Sequence, residues 1–104
     1  MSQDPQVARR QVEILNALGL HLRPADKFVR LANSFQSEIR VHKAGQAING
    51  KSILDLTTLA AERGTLLYLE ARGPDAEAAV EALAELVLAR FHETDEGQEK
   101  EHAP

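Results

Sequence analysis

The chain contains no cysteine and no long apolar segment. Without cysteine, disulfides, thiol nucleophiles and thiolate metal sites are excluded. Every apolar run falls well short of the ~20 residues that a membrane-spanning helix needs, and the first residues lack the apolar stretch of a signal peptide. We therefore expect a cytoplasmic protein that has no membrane partner.

Concentrated basic charge and metal-ligand spacing are also missing. The 104 residues carry a formal net charge of −4, and no local cluster of Lys and Arg of the kind that binds nucleic acid is visible. The four histidines do not stand at a metal-ligand spacing. We expect no nucleic-acid partner, no metal and no cofactor.

The length allows one domain with a single modest core. Both ends of the chain are polar and aperiodic, whereas the middle has regular apolar spacing. Such ends bury too little apolar surface to offset the entropy of ordering. The composition therefore predicts flexible tails at residues 1–10 and 92–104 and a working domain at 11–91.

The hydrophobic period switches several times within this domain. Alternating apolar and polar residues predict four strands, and apolar residues at helical spacing predict three helices, in the order β-α-β-β-α-β-α. The second helix is expected at about residues 52–61. Strands with one polar face favour an antiparallel sheet covered on one side. The pattern therefore predicts a two-layer α+β domain with three helices on one face of a four-stranded antiparallel sheet.

The start of the first predicted helix carries the chemistry. Pro24 lacks an N–H that a first helical turn would leave unpaired anyway, so the helix can begin at Leu22 with His21 at its cap. Free N–H groups and the helix dipole attract anions there, and Arg23 adds a guanidinium suited to phosphate. A neutral imidazole nitrogen both attacks phosphorus and leaves again near neutral pH. These residues alone do not distinguish a histidine that accepts a phosphoryl group from one that only caps a helix.

The wider run NALGLHLRPA, at residues 16–25, resembles the GLHARPA signature of HPr. HPr is the histidine-containing phosphocarrier of the bacterial phosphoenolpyruvate-dependent phosphotransferase system. A second run, KSILDL at residues 51–56, resembles the family's KSIMGL stretch. The resemblance extends at consistent spacing over about residues 11–91. It implies an open-faced β-sandwich of four antiparallel strands under three helices.

The resemblance implies that His21 accepts a phosphoryl group on Nδ1 from enzyme I and passes it to an enzyme IIA, while Arg23 helps to hold the group. The chain would then be a monomeric carrier with a transient phosphohistidine rather than a stand-alone enzyme. The alternative is a nitrogen-branch or purely regulatory HPr-like protein that docks partners and signals through its phosphorylation state. The family's partner-docking surface falls on Leu22, Ile53, Leu54, Thr57 and Thr58.

Ser52 matches a serine that a metabolite-activated kinase phosphorylates in many relatives, so the resemblance leaves open a serine kinase/phosphorylase that acts on Ser52 as a further partner. Asp55 follows Ser52 at the spacing of a capping box, with Asp where Glu or Gln is usual. Ser52 is therefore expected to cap the second helix, whether or not it is phosphorylated. Leu22 replaces the family's usual Ala or Thr. Asp26 or Asp55 could pair with Arg23 and compete with phosphate.

Overall fold

The computed structural model describes residues 6–93. It contains four strands and three helices in the predicted order, followed by a short turn at Arg90–His92. The elements, in chain order, are β1 (Val7–Glu13), α1 (Leu22–Ala32), β2 (Glu38–Lys43), β3 (Gln46–Asn49), α2 (Ile53–Thr58), β4 (Leu66–Arg72) and α3 (Ala76–Leu88).

The strands form one antiparallel sheet in the order β1-β4-β2-β3. On β4, Leu67 and Leu69 are buried on one face, whereas Tyr68 between them is half exposed on the other. This alternation is what a sheet covered on one side requires. The helices pack on the covered side, so the predicted open-faced sandwich is confirmed.

The buried faces of α1 and α3 fix both helices against the sheet. Burying a large apolar side chain contributes about 1.5–3 kcal/mol. The stripe predicted for α1 is buried in full, and the packing of this stripe fixes where the N-terminus of α1 lies. The buried helical residues are Pro24, Ala25, Phe28, Val29 and Ala32 in α1, and Ala76, Ala79, Val80, Leu83, Ala84 and Val87 in α3.

The predicted N-terminal tail is too long. β1 begins at Val7, which is paired with Arg72 of β4, and Ala8 is buried. The neighbouring Arg9 lies on the uncovered face, where it forms an ion pair with Glu70 at 3.3 Å. Ala8 is the one buried residue among residues 7–10, so this part of the strand carries too short an apolar pattern to predict a strand from the sequence.

The predicted C-terminal boundary is also wrong. The backbone at Arg90–His92 is left-handed, with φ values of 58°, 53° and 60°. This turn places the Phe91 ring in the core, where it is fully buried, and Lys27 Nζ donates a hydrogen bond to the Phe91 carbonyl at 2.6 Å. Glu93 is buried as well, so the domain extends at least to this residue. The disorder predicted for residues 94–104 lies outside the described residues.

Helix α2 is shorter than predicted. It ends at Thr58, and the backbone at Ala60 takes a φ of 51°, which no α-helix continues through. The longest helix, α3, has 13 residues. Across residues 6–93, none of the helices is long and apolar enough to cross a bilayer.

Candidate functional site

His21 is the N-cap of α1, as predicted. Its backbone is extended, with φ −82° and ψ −171°, and its carbonyl accepts the first helical hydrogen bond from Ala25 N–H at 3.0 Å. The side chain makes no capping hydrogen bond and is 32% exposed. The ring therefore lies at the positive end of the helix dipole, and part of its surface is exposed to solvent.

The loop that carries His21 depends on a glycine. Gly19 has a φ of +72°, and a Cβ at this position would lie 2.4 Å from the carbonyl oxygen of Ala61. Directly beside this contact, Leu20 N–H donates to the same oxygen at 2.8 Å. Both the left-handed backbone and the close approach favour glycine over any other residue. Gly19 thus sets the distance between the His21 loop and the segment that follows α2.

A buried carboxylate contacts the His21 ring, and the sequence analysis missed it. His21 Nε2 lies 3.0 Å from Oε2 and 3.3 Å from Oε1 of Glu93, whose side chain is 0% exposed. Asn16 Nδ2 donates to Glu93 Oε1 at 2.9 Å and to the Gly19 carbonyl at 2.7 Å. Glu93 belongs to a charged stretch of the sequence, and the nearby aromatic Phe91 was the one signal that this stretch folds back.

Arg23 lies in the first turn of α1, beside His21. Neither acid considered as its partner pairs with it: Asp26 pairs with Arg30 at 2.9 Å, and Asp55 accepts a hydrogen bond from Asn49 N–H at 3.2 Å. These two carboxylates therefore leave the Arg23 guanidinium available for an anion at the helix start.

Three of the five predicted docking residues lie close to His21. Leu22 and Ile53 line a shallow concavity together with His21, Arg23 and Asp26. Thr57 lines a second one that also contains His21. Helix α2 therefore meets the start of α1 at the histidine, although the two runs are far apart in the sequence.

The remaining docking residues, Leu54 and Thr58, are exposed on α2. Leu22 and Leu54 are large apolar side chains with exposed fractions of 65% and 72%. Leu18, at 60%, adds a third from the loop before His21, and the docking prediction did not include it. Exposed apolar groups near a polar centre are typical of a protein–protein contact surface.

Ser52 caps α2, as predicted. Its hydroxyl oxygen accepts a hydrogen bond from Asp55 N–H at 3.1 Å. The reciprocal bond of a capping box is absent from this helix start, because the Asp55 carboxylate instead accepts from Asn49 N–H. Ser52 is half-buried at the edge of the surface that carries Ile53 and Leu54.

The model of the family described as "PTS HPr component phosphorylation site" matches residues 8–89. The chain belongs to the HPr family. The phosphocarrier protein HPr of Neisseria meningitidis serogroup A is 44% identical over 85 residues, which cover 82% of this chain and 96% of the relative. The fold and the family predicted from the sequence are thus confirmed.

Solved HPr structures agree with this assignment. HPr-C-His from Thermoanaerobacter tengcongensis is similar with a TM-score of 0.81 and 39% identity, covering 84% of this chain and 98% of that one. An HPr dimer from the same organism gives a TM-score of 0.66 and 41% identity, covering 77% and 92%. As an HPr-family member, the chain is a phosphocarrier whose partners belong to the phosphotransferase system.

Proposed function

We propose that His21 is the phosphoryl acceptor of this phosphocarrier, and that it takes the group from enzyme I on Nδ1 and passes it to an enzyme IIA. The observation that carries the proposal is the part-exposed His21 ring at the start of α1 with its Nε2 already engaged by Glu93. The Nδ1 lone pair forms the new N–P bond while the bond from phosphorus to the donor breaks. The nitrogen-branch and purely regulatory alternatives are not favoured, since the relatives carry the name phosphocarrier protein HPr.

The surroundings of His21 support the binding of a phosphoryl group. The first turn of α1 offers N–H groups without a helical partner and the positive end of the helix dipole. Arg23 adds a planar fork of donors that matches phosphate oxygens. We therefore assign Arg23 the role of holding the phosphoryl group during transfer.

The apolar side chains near His21 support docking of the partner proteins. A phosphoramidate is open to hydrolysis, and a close apolar contact around it excludes water during transfer. We assign this docking surface to Leu22, Ile53, Leu54, Thr57 and Thr58. We further propose that the carrier acts in the cytoplasm and that it is a monomer. Sedimentation of the purified protein tests the monomer.

The test of the acceptor is incubation with enzyme I and phosphoenolpyruvate, followed by intact mass measurement. We expect one added phosphoryl group that is labile to acid and stable to alkali, and none in His21→Gln. The matched control is His42→Gln, which changes a histidine on the uncovered face of the sheet and is expected to leave uptake intact. Undiminished uptake by His21→Gln would overturn the assignment.

A further inference from the structure

The contact between Glu93 and His21 determines which ring nitrogen is free. An ionised carboxylate only accepts hydrogen bonds, so the nitrogen that faces it has to carry the hydrogen. The nitrogen that faces Glu93 is Nε2, which is hydrogen-bonded to Oε1 at 3.3 Å and lies 3.0 Å from Oε2. The other nitrogen, Nδ1, then keeps its lone pair. A histidine ring oriented by a carboxylate in this way is prepared for nucleophilic attack through its free nitrogen.

We propose that Glu93 is a positioning residue that holds His21 in the Nε2–H tautomer and stabilises the cationic ring formed when Nδ1 takes the phosphoryl group. The stabilisation of the cationic ring rests on the proposed function of His21. The tautomer concerns the unphosphorylated protein alone.

The Glu93 carboxylate is fixed in place. Its side chain is 0% exposed, and Asn16, itself buried, donates a hydrogen bond to Oε1 at 2.9 Å. The same Asn16 amide group donates to the Gly19 carbonyl, which ties the carboxylate to the loop that carries His21. A buried carboxylate needs partners to remain charged. The Nε2–H of His21 supplies one of them.

The backbone before Glu93 is held in an unfavourable conformation. Left-handed dihedral angles are disfavoured for residues other than glycine, and Arg90–His92 adopts them at three consecutive positions. Such a segment persists only where its surroundings hold it. The buried Phe91 ring, the bond from Lys27 Nζ to the Phe91 carbonyl, and the bond from Glu93 N–H to the Arg90 carbonyl at 3.0 Å hold it here. Together they direct Glu93 back to the ring.

The role of Glu93 in transfer follows from where the electron pair and the proton are during phosphoryl transfer. Nδ1 attacks phosphorus with its lone pair, the bond from phosphorus to the donor breaks, and the electron pair of that bond stays with the donor. No proton leaves His21, so the ring becomes a cation with hydrogen on Nε2 and phosphorus on Nδ1. A carboxylate beside Nε2 stabilises this cation by a charge-assisted hydrogen bond. The cationic ring is also the better leaving group when the phosphoryl group moves on.

The tautomer is tested by nitrogen NMR of histidine-labelled protein at about pH 9, above the ordinary titration range of histidine. We expect His21 of the parent protein to be predominantly Nε2–H, and Glu93→Gln to raise the Nδ1–H share. Glu85→Gln makes the same change on an exposed face of α3 and is expected to match the parent. Predominant Nδ1–H in the parent, or an unchanged ratio in Glu93→Gln, would overturn the proposal. The parent measurement needs no variant and does not depend on whether Glu93→Gln folds.

The second measurement is the rate of phosphoryl acceptance from enzyme I. We expect Glu93→Gln to lower kcat about 10-fold relative to Glu85→Gln, with KM for the carrier nearly unchanged, because the lost charge acts on the ring rather than on docking. The phosphorylated Glu93→Gln protein should also lose its phosphoryl group to water more slowly. Parental rates in both assays would refute the role in transfer. Confirmation of the tautomer without any phosphorylation of His21 would contradict the proposed function and leave the positioning intact.

Discussion

Replacing Ser52 separates the structural role of this serine from a regulatory one. Ser52→Ala removes the acceptor for Asp55 N–H, a hydrogen bond of 3.1 Å at the start of a helix of only six residues. Loss of such a cap costs about 1 kcal/mol. In a domain of this size, that free energy corresponds to a fall in Tm of roughly 4–8 °C. Because Ser52 is half-buried, water cannot fully replace the lost acceptor.

Thermal melting of three variants checks this reasoning. Ser52→Asp keeps an acceptor oxygen at the cap and is expected to melt close to the parent. Ser34→Ala is the matched control, because the Ser34 hydroxyl is exposed and donates to the Leu31 carbonyl without capping a helix start. A Ser52→Ala protein that melts like Ser34→Ala would refute the cap. A Ser52→Asp protein that loses as much stability as Ser52→Ala would do so as well.

Phosphoryl acceptance by the same variants tests the regulatory role of Ser52. A carboxylate at position 52 would lie beside Ile53 and Leu54, which we assign to the docking surface. When enzyme I docks, this carboxylate would have to lose its water or would repel the partner. A phosphoserine, with a charge of about −2, would act in the same direction. We expect folded Ser52→Asp to accept phosphate more slowly than the parent, most clearly at low salt. If Ser52→Asp and the parent accept phosphate at equal rates at low salt, Ser52 only caps α2 and has no regulatory role.

Three further changes test the site and the fold. Arg23→Lys should slow transfer while leaving Tm within about 1 °C of the parent, because Lys keeps the charge and loses the planar fork; equal transfer rates in both directions would contradict this. Gly19→Ala should lower Tm and slow transfer together, since its Cβ would meet the Ala61 carbonyl oxygen; parental values of both would show that the loop shifts freely. Hydrogen bonds, first from the Ser37 hydroxyl, lower the pKa of Asp75. The stability that they contribute is therefore present above the ordinary carboxyl pKa of ~3.9 and is lost as pH falls through the lowered value. Urea unfolding should accordingly show a stability gap between parent and Asp75→Asn that narrows below about pH 4, and a gap independent of pH would refute the assignment.

The parts of the fold that depend on local pattern were predictable from the sequence. The spacing of Phe28 and Val29 predicted the buried face of α1, and Pro24 predicted the helix start that places His21 at the cap. The ion pair between Asp26 and Arg30 also follows a local rule, because residues four apart share a helix face. The same rule also allows Arg23, three residues before Asp26, so the sequence alone did not choose between the two basic partners.

The contact between Glu93 and His21 could not be predicted in the same way. It joins residues 72 positions apart and depends on a turn whose left-handed backbone contains no glycine to signal it. Glu93 lies in a charged stretch of the kind that is typical of a solvated tail. Glu93 is buried because Phe91, two residues earlier, enters the core. Tertiary packing, rather than local propensity, therefore decides where the domain ends. The same holds for β1, where pairing with β4 extends the strand to Val7.

The most direct test of the central claim is to locate the phosphoryl group by nitrogen and phosphorus NMR after phosphorylation by enzyme I. The chain has four histidines, so the measurement distinguishes the residue as well as the ring nitrogen. We predict phosphorus coupled to Nδ1 of His21, with the hydrogen retained on Nε2. A phosphoryl group on another histidine, or on Nε2 of His21, would contradict the account.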